Sequence, residues 1–460
     1  MVTDEKKDVS GEAISGVITR ILGSSISMSY ELSVGDAIIE LEWNGALTIG
    51  DCVVAKGKFE EGVYLAESLT RVEEEIERKR IISKLEKKAS VKAGKAKANF
   101  LIDDAAMKRM KKKIEEGAER IKAAALMGRA ILVRFNNDAD GITGGVAITT
   151  LCKPAKVRSI IHPSAVYLEK DALRDIGVLG QQFKPLLILV DFGANAESVQ
   201  ALAIVKEAGF DIFIIDHHPP DEKAVALLDY FVSPWAFEAG SEYAAGFLSS
   251  EVAKAGGCDE AFMNDLAKIS LAGDRSKLLV PSAESERKAL VMDYLAVVRE
   301  AKGTADFFEG VLRDIEEMAI LYEVASEKLE TATVSALKDV KEKKYPKLLL
   351  VTFDLDKFCT SKEFPAKGKL AGSVFDLYAK GGKSVVVLGT GERVFNFRVS
   401  PAAHKAGFNA AKIIEELKSE FTDAIESGGG HQVAASIRVK KGYDKIMFDA
   451  LMKKIEQVGW

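Results

Sequence analysis

Acidic residues and histidines follow three apolar runs of the sequence, where they would lie together if the runs were neighbouring strands. The runs are AILVRF, PLLILV and DIFII. The residues that follow them are Asp138 with Asp140, Asp191, and Asp216 with His217 and His218. Carboxylates combined with imidazole suit a hard divalent cation such as Mn²⁺ better than zinc. The pattern therefore predicts a metal centre.

Histidine is scarce in the chain, and its distribution is uneven. Three of the five histidines fall in two short motifs, IIDHHPP and GGGHQVAAS. Side chains alternate in direction along a strand, so one of His217 and His218 can bind a metal while its neighbour faces a substrate. The paired histidines therefore predict functional roles rather than structural ones.

Strand and helix patterns alternate from residue 129 to about residue 276. Continuous apolar strands separated by helices are typical of a parallel sheet that is covered on both faces. Functional residues of such sheets collect beyond the carboxyl ends of the strands, where these acids and histidines stand. A second, smaller α/β pattern begins at PKLLLVTFDL and closes near SGGGHQVAASIRV. The predicted fold class is therefore α/β.

Composition limits the class of protein. A chain of 460 residues with 47% hydrophobic and 29% charged residues is typical of a globular protein of roughly three domains. Its net charge of −5 argues against an indiscriminate DNA-coating protein. The four cysteines are scattered without a CxxC pair, which argues against a zinc site or a disulfide framework. With no secretory signal and no membrane-length apolar run, we expect a cytoplasmic protein without a membrane partner.

Short β-like runs with glycine turns fill residues 11–72, and this pattern predicts a small OB-like β-barrel. Such a barrel commonly binds single-stranded nucleic acid by stacking bases on aromatic side chains. The aromatic residues available here are Tyr30, Trp43, Phe59 and Tyr64. The same barrel could instead serve protein contacts, and the sequence leaves both roles open.

The remaining domain boundaries follow from changes in charge and periodicity. The predicted order is an OB-like barrel over 1–72, a charged linker and helix over 73–128, an α/β domain over 129–282, a helical connector over 283–345 and a smaller α/β domain over 346–460. Within the linker region, an amphipathic helix is expected over residues 105–127.

Five short motifs resemble, in order and spacing, those of the DHH phosphoesterases. They are DADGITGG, VDFGAN, DHHPP, AGDRS and GGGHQVAAS, the last of which resembles the glycine-rich motif of the DHHA1 domain. The resemblance extends over residues 129–460. Within the superfamily it is greatest for the archaeal RecJ-like proteins, including the GINS-associated nuclease. It extends to their degenerate eukaryotic relative in the replicative helicase.

This resemblance implies metal ligands at matching positions. One Mn²⁺ or Mg²⁺ ion would be held by Asp138, Asp191, His217 and Asp274. Asp191 would bridge to a second ion held by residue 136 and aided by Asp140. Two such ions polarise the phosphate and activate the attacking water.

Catalytic and substrate-binding roles are implied in the same way. His218 would lie near the scissile phosphate and, with Asp140, take part in catalysis. The implied substrate-binding residues are Gly428, Gly429, Gly430, His431 and Arg398. The glycines would let backbone amides approach a phosphate, the histidine would donate to it, and the arginine would grip a neighbouring phosphate through two hydrogen bonds.

Asn136 departs from the family pattern. Active relatives have Asp or His two positions before the Asp of DADG, and this chain has Asn136 there. An amide can offer its carbonyl oxygen to a cation, but it brings no charge. We therefore expect at least one metal to bind, with the second site and two-metal hydrolysis weakened.

Two functions of different classes are compatible with these residues. The first is a metal-dependent exonuclease that hydrolyses phosphodiester bonds of single-stranded DNA or RNA. The second is a weakened or inactive replisome subunit that acts as a scaffold for GINS and the replicative helicase. Retention of the acids and histidines favours the first, because a scaffold has no physical need for them. A phosphoesterase acting on small molecules fits the extra N-terminal β-domain less well.

Overall fold

The structure is a computed structural model that describes residues 13–23, 28–153, 155–299, 303–360 and 363–457. The chain divides into two compact units, which are Met1–Ala289 with Ala301–Gly310, and Leu290–Glu300 with Val311–Trp460. Residues 1–12, from which we predicted that the chain has no secretory signal, lie outside the described residues. The same is true of residues 25–27 in the predicted strand SISMSYELS.

A closed five-stranded barrel forms the N-terminal part of the first unit. Its strands are β1 (Ile14–Ile21), β2 (Ser29–Ser33), β3 (Ile38–Glu42), β4 (Cys52–Glu60) and β5 (Val63–Arg71). The order around the barrel is β1-β2-β3-β5-β4, with β3 and β5 parallel and the other neighbours antiparallel. The predicted OB-like barrel is therefore confirmed.

The barrel uses two of its four candidate stacking aromatics as core. Tyr30 and Tyr64 are buried among Leu32, Leu41 and Val53. The Tyr30 hydroxyl also donates a hydrogen bond of 2.8 Å to the backbone carbonyl of Gly45, in the loop that follows β3. Neither ring is free to stack on a base, which removes half of the aromatic surface on which the prediction of strand binding depended.

Two helices connect the barrel to the central sheet. They are α1 (Glu75–Ala93) and α2 (Ala105–Leu126), and the second was predicted over residues 105–127. Asp104 caps α2 by accepting a hydrogen bond from the amide of Met107. Ile81, Leu85 and Ala89 of α1 are buried on one face of that helix, with polar residues opposite.

A five-stranded parallel sheet lies at the centre of the first unit. Its strands are β6 (Ile131–Asn136), β7 (Val157–His162), β8 (Leu186–Val190), β9 (Asp211–Ile215) and β10 (Tyr230–Val232). They are joined in the order β10-β9-β8-β6-β7, and every pair is parallel. All five residues of β8 are buried, as a parallel strand between two helix layers requires.

Helices cover this sheet. They are α3 (Ala139–Cys152), α4 (Glu169–Leu179), α5 (Val199–Glu207), α6 (Glu222–Val225), α7 (Ala245–Ala255) and α8 (Glu260–Gly273), with short 3₁₀ turns at Ala196–Ser198 and Pro234–Phe237. Gly144 of α3 and Gly246 of α7 lie where the two helices approach closely. This close packing holds the start of α7 against the loop that follows β6.

A buried ion pair supports the strand that leads to the candidate site. Arg134 of β6 donates to Asp175 of α4, and its Nε lies 2.7 Å from Asp175 Oδ2. The Tyr167 hydroxyl donates to the same oxygen at 2.8 Å. Both charged side chains are at most 2% exposed. Such a pair is costly to break, because the remaining charge is left buried and uncompensated.

We expect Asp175→Ala to lower the free energy of unfolding by about 3–5 kcal/mol. Urea unfolding followed by circular dichroism measures the change. Arg174→Ala is the matched control, because Arg174 is 66% exposed and lies 3.9 Å from Asp171. This control should change stability by less than about 0.5 kcal/mol. Equal effects of the two substitutions would contradict a supporting role for the buried pair.

Three helices link the sheets along the chain, namely α9 (Ala283–Arg299), α10 (Ala305–Arg313) and α11 (Ile315–Leu337). The second unit then contains a six-stranded mixed sheet. Its strands are β11 (Lys341–Lys344), β12 (Leu349–Asp354), β13 (Val385–Thr390), β14 (Val394–Val399), β15 (Ile425–His431) and β16 (Ala434–Val439). The order is β11-β12-β13-β14-β16-β15, and β12 and β13 are the parallel pair.

Helices also pack on the second sheet. They are α12 (Lys367–Tyr378), α13 (Pro401–Lys405), α14 (Ala410–Glu420) and α15 (Asp444–Gln457), with a 3₁₀ turn at Leu355–Lys357. Alternating apolar residues of β14 and β16 form the core with α14 and α15. The structure thus has the α/β fold predicted. Among the described residues, no helix combines the length and apolar character needed to cross a membrane.

Candidate metal centre

The carboxyl ends of three parallel strands bring the predicted residues of the first unit together. Strands β6 and β8 are neighbours, and β7 lies on the far side of β6. The connections that leave β6 and β8 therefore diverge, which opens a crevice at their carboxyl ends. Asn136 ends β6, Asp191 follows β8 and Asp216 follows β9.

Asp191 lies at the centre of this crevice. Its backbone has a left-handed φ of 67°, and its amide donates to the carbonyl of Ile215 at 2.9 Å. Its side chain is 2% exposed, and Oδ1 accepts no hydrogen bond from the described residues. The nitrogens nearest to Oδ1 are His217 Nε2 at 3.4 Å and His218 Nδ1 at 3.6 Å. A buried carboxylate oxygen without a donor is suited to a cation.

His217 is held in the tautomer that a metal ligand needs. Its Nδ1 lies 2.7 Å from the carbonyl oxygen of Ser241, which can only accept. The proton must therefore be on Nδ1 in the neutral ring, and the lone pair on Nε2. Nε2 faces Asp191 Oδ1 at 3.4 Å and Asp140 Oδ2 at 3.7 Å. The side chain thus presents its lone pair to two carboxylates.

Asp140 is fixed by donors from two helices. Its carboxylate accepts from the amides of Ala245 at 2.9 Å and Gly246 at 2.7 Å, and from the Ser270 hydroxyl at 2.5 Å. Three donors fix the orientation of a buried carboxylate. The arrangement sets the position of Oδ2 relative to His217.

Asn136 contacts the cluster through its amide nitrogen. Nδ2 donates to Asp138 Oδ2 at 2.9 Å and to Asp191 Oδ2 at 3.2 Å. Asp138 also caps α3 by accepting from the amide of Gly141 at 2.9 Å. The amide nitrogen therefore stands between two carboxylates, where an acid at residue 136 would repel both.

His218 pairs with the remaining aspartate. Its Nδ1 lies 2.8 Å from Asp216 Oδ1, and its backbone amide donates to the same oxygen at 3.0 Å. Burial alone would raise the pKa of Asp216, but His218 outweighs burial and the pKa is lowered. Burial alone would lower the pKa of His218, but Asp216 outweighs it and raises that pKa to about 9. His218 is therefore an imidazolium at neutral pH.

Crowding of acids raises the pKa of two further carboxyl groups. Burial raises the pKa of Asp191 well above its ordinary value, and Asp140 and Asp138 add to that effect. Burial likewise raises the pKa of Asp274 to about 7. Burial opposes charge on His217, but Asp274 leads the carboxylates that raise its pKa well above the ordinary value. Negative charge in this cluster thus exceeds what the protein itself compensates.

Two groups of side chains converge closely enough to bind a cation. Their ligand atoms lie within 4.8 Å of one another, and the groups are Asp140 with Asp191 and His217, and Asp191 with Asp216 and His218. Asp191 is common to both, and its bridging role stays a prediction. Among the described residues, Asp138 and Asp274 lie outside these groups, although Asp274 Oδ2 is 3.8 Å from His217 Nδ1. The donor set of carboxylates and imidazole fits Mn²⁺ or Mg²⁺.

Sequence reasoning gave no role to three groups that shape this centre. Asp216 orients His218, the Ser241 carbonyl sets the tautomer of His217, and Ser270 holds Asp140. Asp216 had a signal, since it begins the DHH motif. The two serines lie on a loop and a distant helix, and no local pattern in the sequence connects them to the site.

The predicted substrate-binding residues lie in the second unit. Gly428, Gly429, Gly430 and His431 belong to β15, the edge strand of its sheet, rather than to a loop. Gly430 has a φ of 127°, and an added Cβ would lie 2.6 Å from the carbonyl oxygen of Ala434. Arg398 of β14 donates to the carbonyls of Phe397 and Gly368. Their contact with a substrate stays a prediction.

Because these pKa values are raised, the stability of the folded protein depends on pH in a defined direction. Asp274, Asp191 and His218 each bind a proton more tightly in the folded state than in the unfolded state, so this cluster loses stability as pH rises. The stability that Asp274 contributes is lost between its ordinary pKa and its raised pKa of about 7. The stability that His218 contributes is lost as the pH rises to its raised pKa of about 9. A divalent cation would compensate the charges and compete with the protons.

We therefore expect Mn²⁺ to raise the melting temperature by several degrees more at about pH 8 than at about pH 6. Differential scanning calorimetry at both pH values measures the increments. In Asp191→Asn, most of the difference between them should be lost. Equal increments in the unsubstituted protein would show that the cation does not replace protons in this cluster.

Comparison with known proteins agrees with this architecture. Residues 130–273 match the model of the DHH family, N-terminal domain. The chain is 28% identical over 444 residues to an uncharacterized protein of Methanocaldococcus jannaschii, in a match covering 81% of this chain and 57% of that protein. The chain thus spans little more than half the length of this relative.

Solved structures show similarity over most of the chain. One is described as the DHH domain of a member of a family of ribosomal proteins. It has a TM-score of 0.73 and 26% identity, and the match covers 83% of this chain and 98% of that one. Another is RecJ from Thermus thermophilus in complex with Mn²⁺, with a TM-score of 0.48 and 16% identity over 75% of this chain and 55% of that one.

Proposed function

Because the chain is a member of the DHH superfamily, we propose that it is a metal-dependent phosphoesterase that removes nucleotides from the ends of single-stranded DNA or RNA. The observation that carries the proposal is the convergence of the ligand atoms of buried Asp140, Asp191 and His217, which lie within 4.8 Å of one another. A hard divalent cation is bound where carboxylate and imidazole ligand atoms converge on one point.

Three side chains would hold the cation, namely Asp140, Asp191 and His217. When bound, Mn²⁺ or Mg²⁺ would polarise the phosphate and make water a better nucleophile. Three donors fix the orientation of the Asp140 carboxylate, and the Ser241 carbonyl holds a proton on His217 Nδ1, so that Nε2 is the nitrogen that would bind the cation. These contacts orient the ligands before the substrate arrives.

His218 would serve the substrate directly. With its pKa raised to about 9, its ring carries a positive charge at neutral pH, and Asp216 orients it. A charged N–H donor stabilises the negative charge that develops on a phosphate during hydrolysis. In the second unit, we propose that the glycines of β15, His431 and Arg398 bind neighbouring phosphates. We also propose the domain boundaries given above.

Hydrolysis of end-labelled single strands tests this function. We expect the purified protein with Mn²⁺ to release nucleotides from single-stranded DNA or RNA, and labels at either end would give the direction. Asp191→Asn is the inactive control, because asparagine tolerates the left-handed backbone of residue 191 and removes only charge. It should reduce the rate at least about a thousandfold. Equal rates with and without the substitution would exclude this site.

Asn136 favours a second candidate function. Its amide nitrogen donates to two carboxylates and supplies no charged ligand. We therefore propose, as the alternative, a catalytically weakened replisome subunit that binds GINS and the replicative helicase. In that case the retained cluster would bind a single ion and chiefly stabilise the fold.

Asn136→Asp distinguishes the two functions. If the native site is weakened at this ligand, the substitution should raise the Mn²⁺-dependent rate by about tenfold or more. Asn137→Asp is the matched control, since it adds the same charge one residue away. An inactive native protein with an active Asn136→Asp variant would favour the scaffold function. If neither protein hydrolyses the single strands, the hydrolytic function is overturned.

A further inference from the structure

A large cavity lies within the first unit, between the barrel and the amino-terminal end of the parallel sheet. Its volume is 1250 Å³, and its walls come from β1 to β3, the helices α1 and α2, and the starts of β6 and β7. We propose that this cavity binds a segment of single-stranded nucleic acid, as an anchoring site separate from the metal centre.

Charge in the cavity opposes that of the chain as a whole. The protein has a net charge of −5. Among the residues that the structure describes, the cavity wall nevertheless contains a single acidic residue, Glu31, and seven basic residues. Such a concentration of positive charge in an acidic protein favours a polyanionic ligand.

Three of the basic residues are free to bind a ligand. Lys92, Lys122 and Arg158 come from α1, α2 and β7, so they approach the cavity from different elements. Among the residues that the structure describes, none of the three has an ion-pair partner or a hydrogen-bonded side chain. Unpaired cations can neutralise phosphates without first breaking an internal contact.

The other basic residues line the cavity but are paired. Arg20 and Lys156 both contact Glu31, at 3.5 Å and 2.9 Å, and thereby neutralise the acid of the wall. Arg129 is bound to Asp211 at 2.6 Å. The seventh is Lys153, which pairs with two acids outside the cavity wall. The uncompensated charge is therefore that of the three free residues.

The outer face of the barrel is a poorer candidate for nucleic acid. Glu31 of β2 lies directly opposite Glu40 of β3, and Glu42 follows on the same strand. Acids on the face formed by the second and third strands would repel phosphates, although OB barrels commonly bind oligonucleotides there. With Tyr30 buried as well, the barrel offers a wall of the cavity rather than a binding face.

Apolar residues between the cations fit the bases of a single strand. Leu126, Ile131, Leu151 and Val157 line the cavity. The volume of 1250 Å³ exceeds the roughly 300–1,000 Å³ typical of small-molecule sites. A segment of several nucleotides, with phosphates on the cations and bases on the apolar wall, uses both features. An acidic protein segment would use the charges alone.

The cavity and the metal centre lie at opposite ends of the same strands. Ile131 begins β6 and lines the cavity, whereas Asn136 ends β6 at the metal centre. At about 3.3 Å per residue, the two ends of this strand are roughly 16 Å apart. A dinucleotide bound at the metal centre therefore cannot reach the cavity, but a long strand can occupy both.

Fluorescence anisotropy with a labelled single-stranded RNA of about 30 nucleotides, and with the matching DNA, tests this site. The full chain is used with Asp191→Asn, so that the probe is not cleaved. We expect Lys92→Gln/Lys122→Gln/Arg158→Gln to weaken binding about ten- to hundredfold. The slope of log affinity against log salt should fall by about 2, at about 0.7 per lost phosphate contact.

The matched control is Lys56→Gln/Lys84→Gln/Lys87→Gln. It removes the same formal charge from exposed residues that do not line the cavity. We expect it to weaken binding less than threefold, by the general loss of charge alone. Equal affinity of the two triple variants for both probes would overturn the proposal and leave the cavity to an acidic protein partner. Thermal unfolding of both variants confirms that each remains folded.

The proposed anchoring site depends on the proposed function only in that both take single-stranded nucleic acid as the ligand. Binding is measured without hydrolysis, so an inactive native protein would refute the proposed function without affecting this test. If the native protein is active, the cavity variant should hydrolyse a dinucleotide at the unchanged rate and lose activity on long strands. Loss of activity on the dinucleotide would contradict a separate anchoring site.

Discussion

Replacing His217 by alanine is expected to reduce Mn²⁺-dependent hydrolysis at least about a thousandfold, which corresponds to about 4 kcal/mol of transition-state stabilisation. The reason is that His217 is the imidazole whose lone pair faces both Asp140 and Asp191. Without it, a cation would be held by carboxylates alone. Titration of Mn²⁺ should also show affinity weakened by about tenfold or more.

His404→Ala is the matched control for this substitution. His404 also has its Nδ1 bonded to a backbone carbonyl, that of Phe408 at 2.9 Å. It lies in the second unit and belongs to neither of the acidic metal-binding groups, so its loss should leave the rate unchanged. Should His217→Ala keep more than about a tenth of the native rate, His217 is not a ligand of the catalytic ion.

Gly246→Ala is expected to destabilise the protein strongly although it removes no charge. An added Cβ would lie 2.5 Å from the Asp140 carbonyl oxygen and 2.5 Å from Thr143 Oγ1, so α7 must move away from α3. Overpacking of this kind costs about 1–3 kcal/mol. The movement also lengthens the hydrogen bonds from Ala245 and Gly246 to Asp140, which adds about 1.5–3 kcal/mol.

Urea unfolding measures the loss for Gly246→Ala, and Mn²⁺ titration should show weaker binding because Asp140 is displaced. Gly177→Ala serves as the control, since this glycine lies within α4 and an added Cβ would meet nothing within 4 Å. That substitution should stabilise the protein by about 0.5–1 kcal/mol through helix propensity. Stability of Gly246→Ala within about 1 kcal/mol of native would mean that the helices tolerate separation.

Features that depend on local patterns could be predicted from the sequence. The alternation of apolar strands and helices gave the parallel sheet, and glycine-separated β-runs gave the barrel. Because the carboxyl ends of parallel strands meet at one edge, the approach of Asp191, His217 and Asp140 followed from strand order. The start of α2 could also be predicted from the sequence, because Asp104 is a typical helix cap.

Features that depend on distant contacts could not be predicted. Ser241 and Ser270 act on His217 and Asp140 across more than twenty residues of chain, and serine carries no signal of that role. Glycine is a poor strand former, and only pairing with β16 makes Gly428, Gly429 and Gly430 part of a strand. The sequence shows that Tyr30 and Tyr64 are aromatic residues of the barrel. Only the closed structure shows that both rings are buried in its core.

The direction of the Asn136 amide has a consequence for how this site can change over evolutionary time. The codons of asparagine and aspartate differ at the first base only. Because Asn136 already contacts Asp138 and Asp191, a change to aspartate needs no rearrangement of the backbone to place a carboxylate between them. A carboxylate at residue 136 is therefore one base substitution away. A lineage can gain or lose this negative charge beside Asp138 and Asp191 while the rest of the fold is conserved.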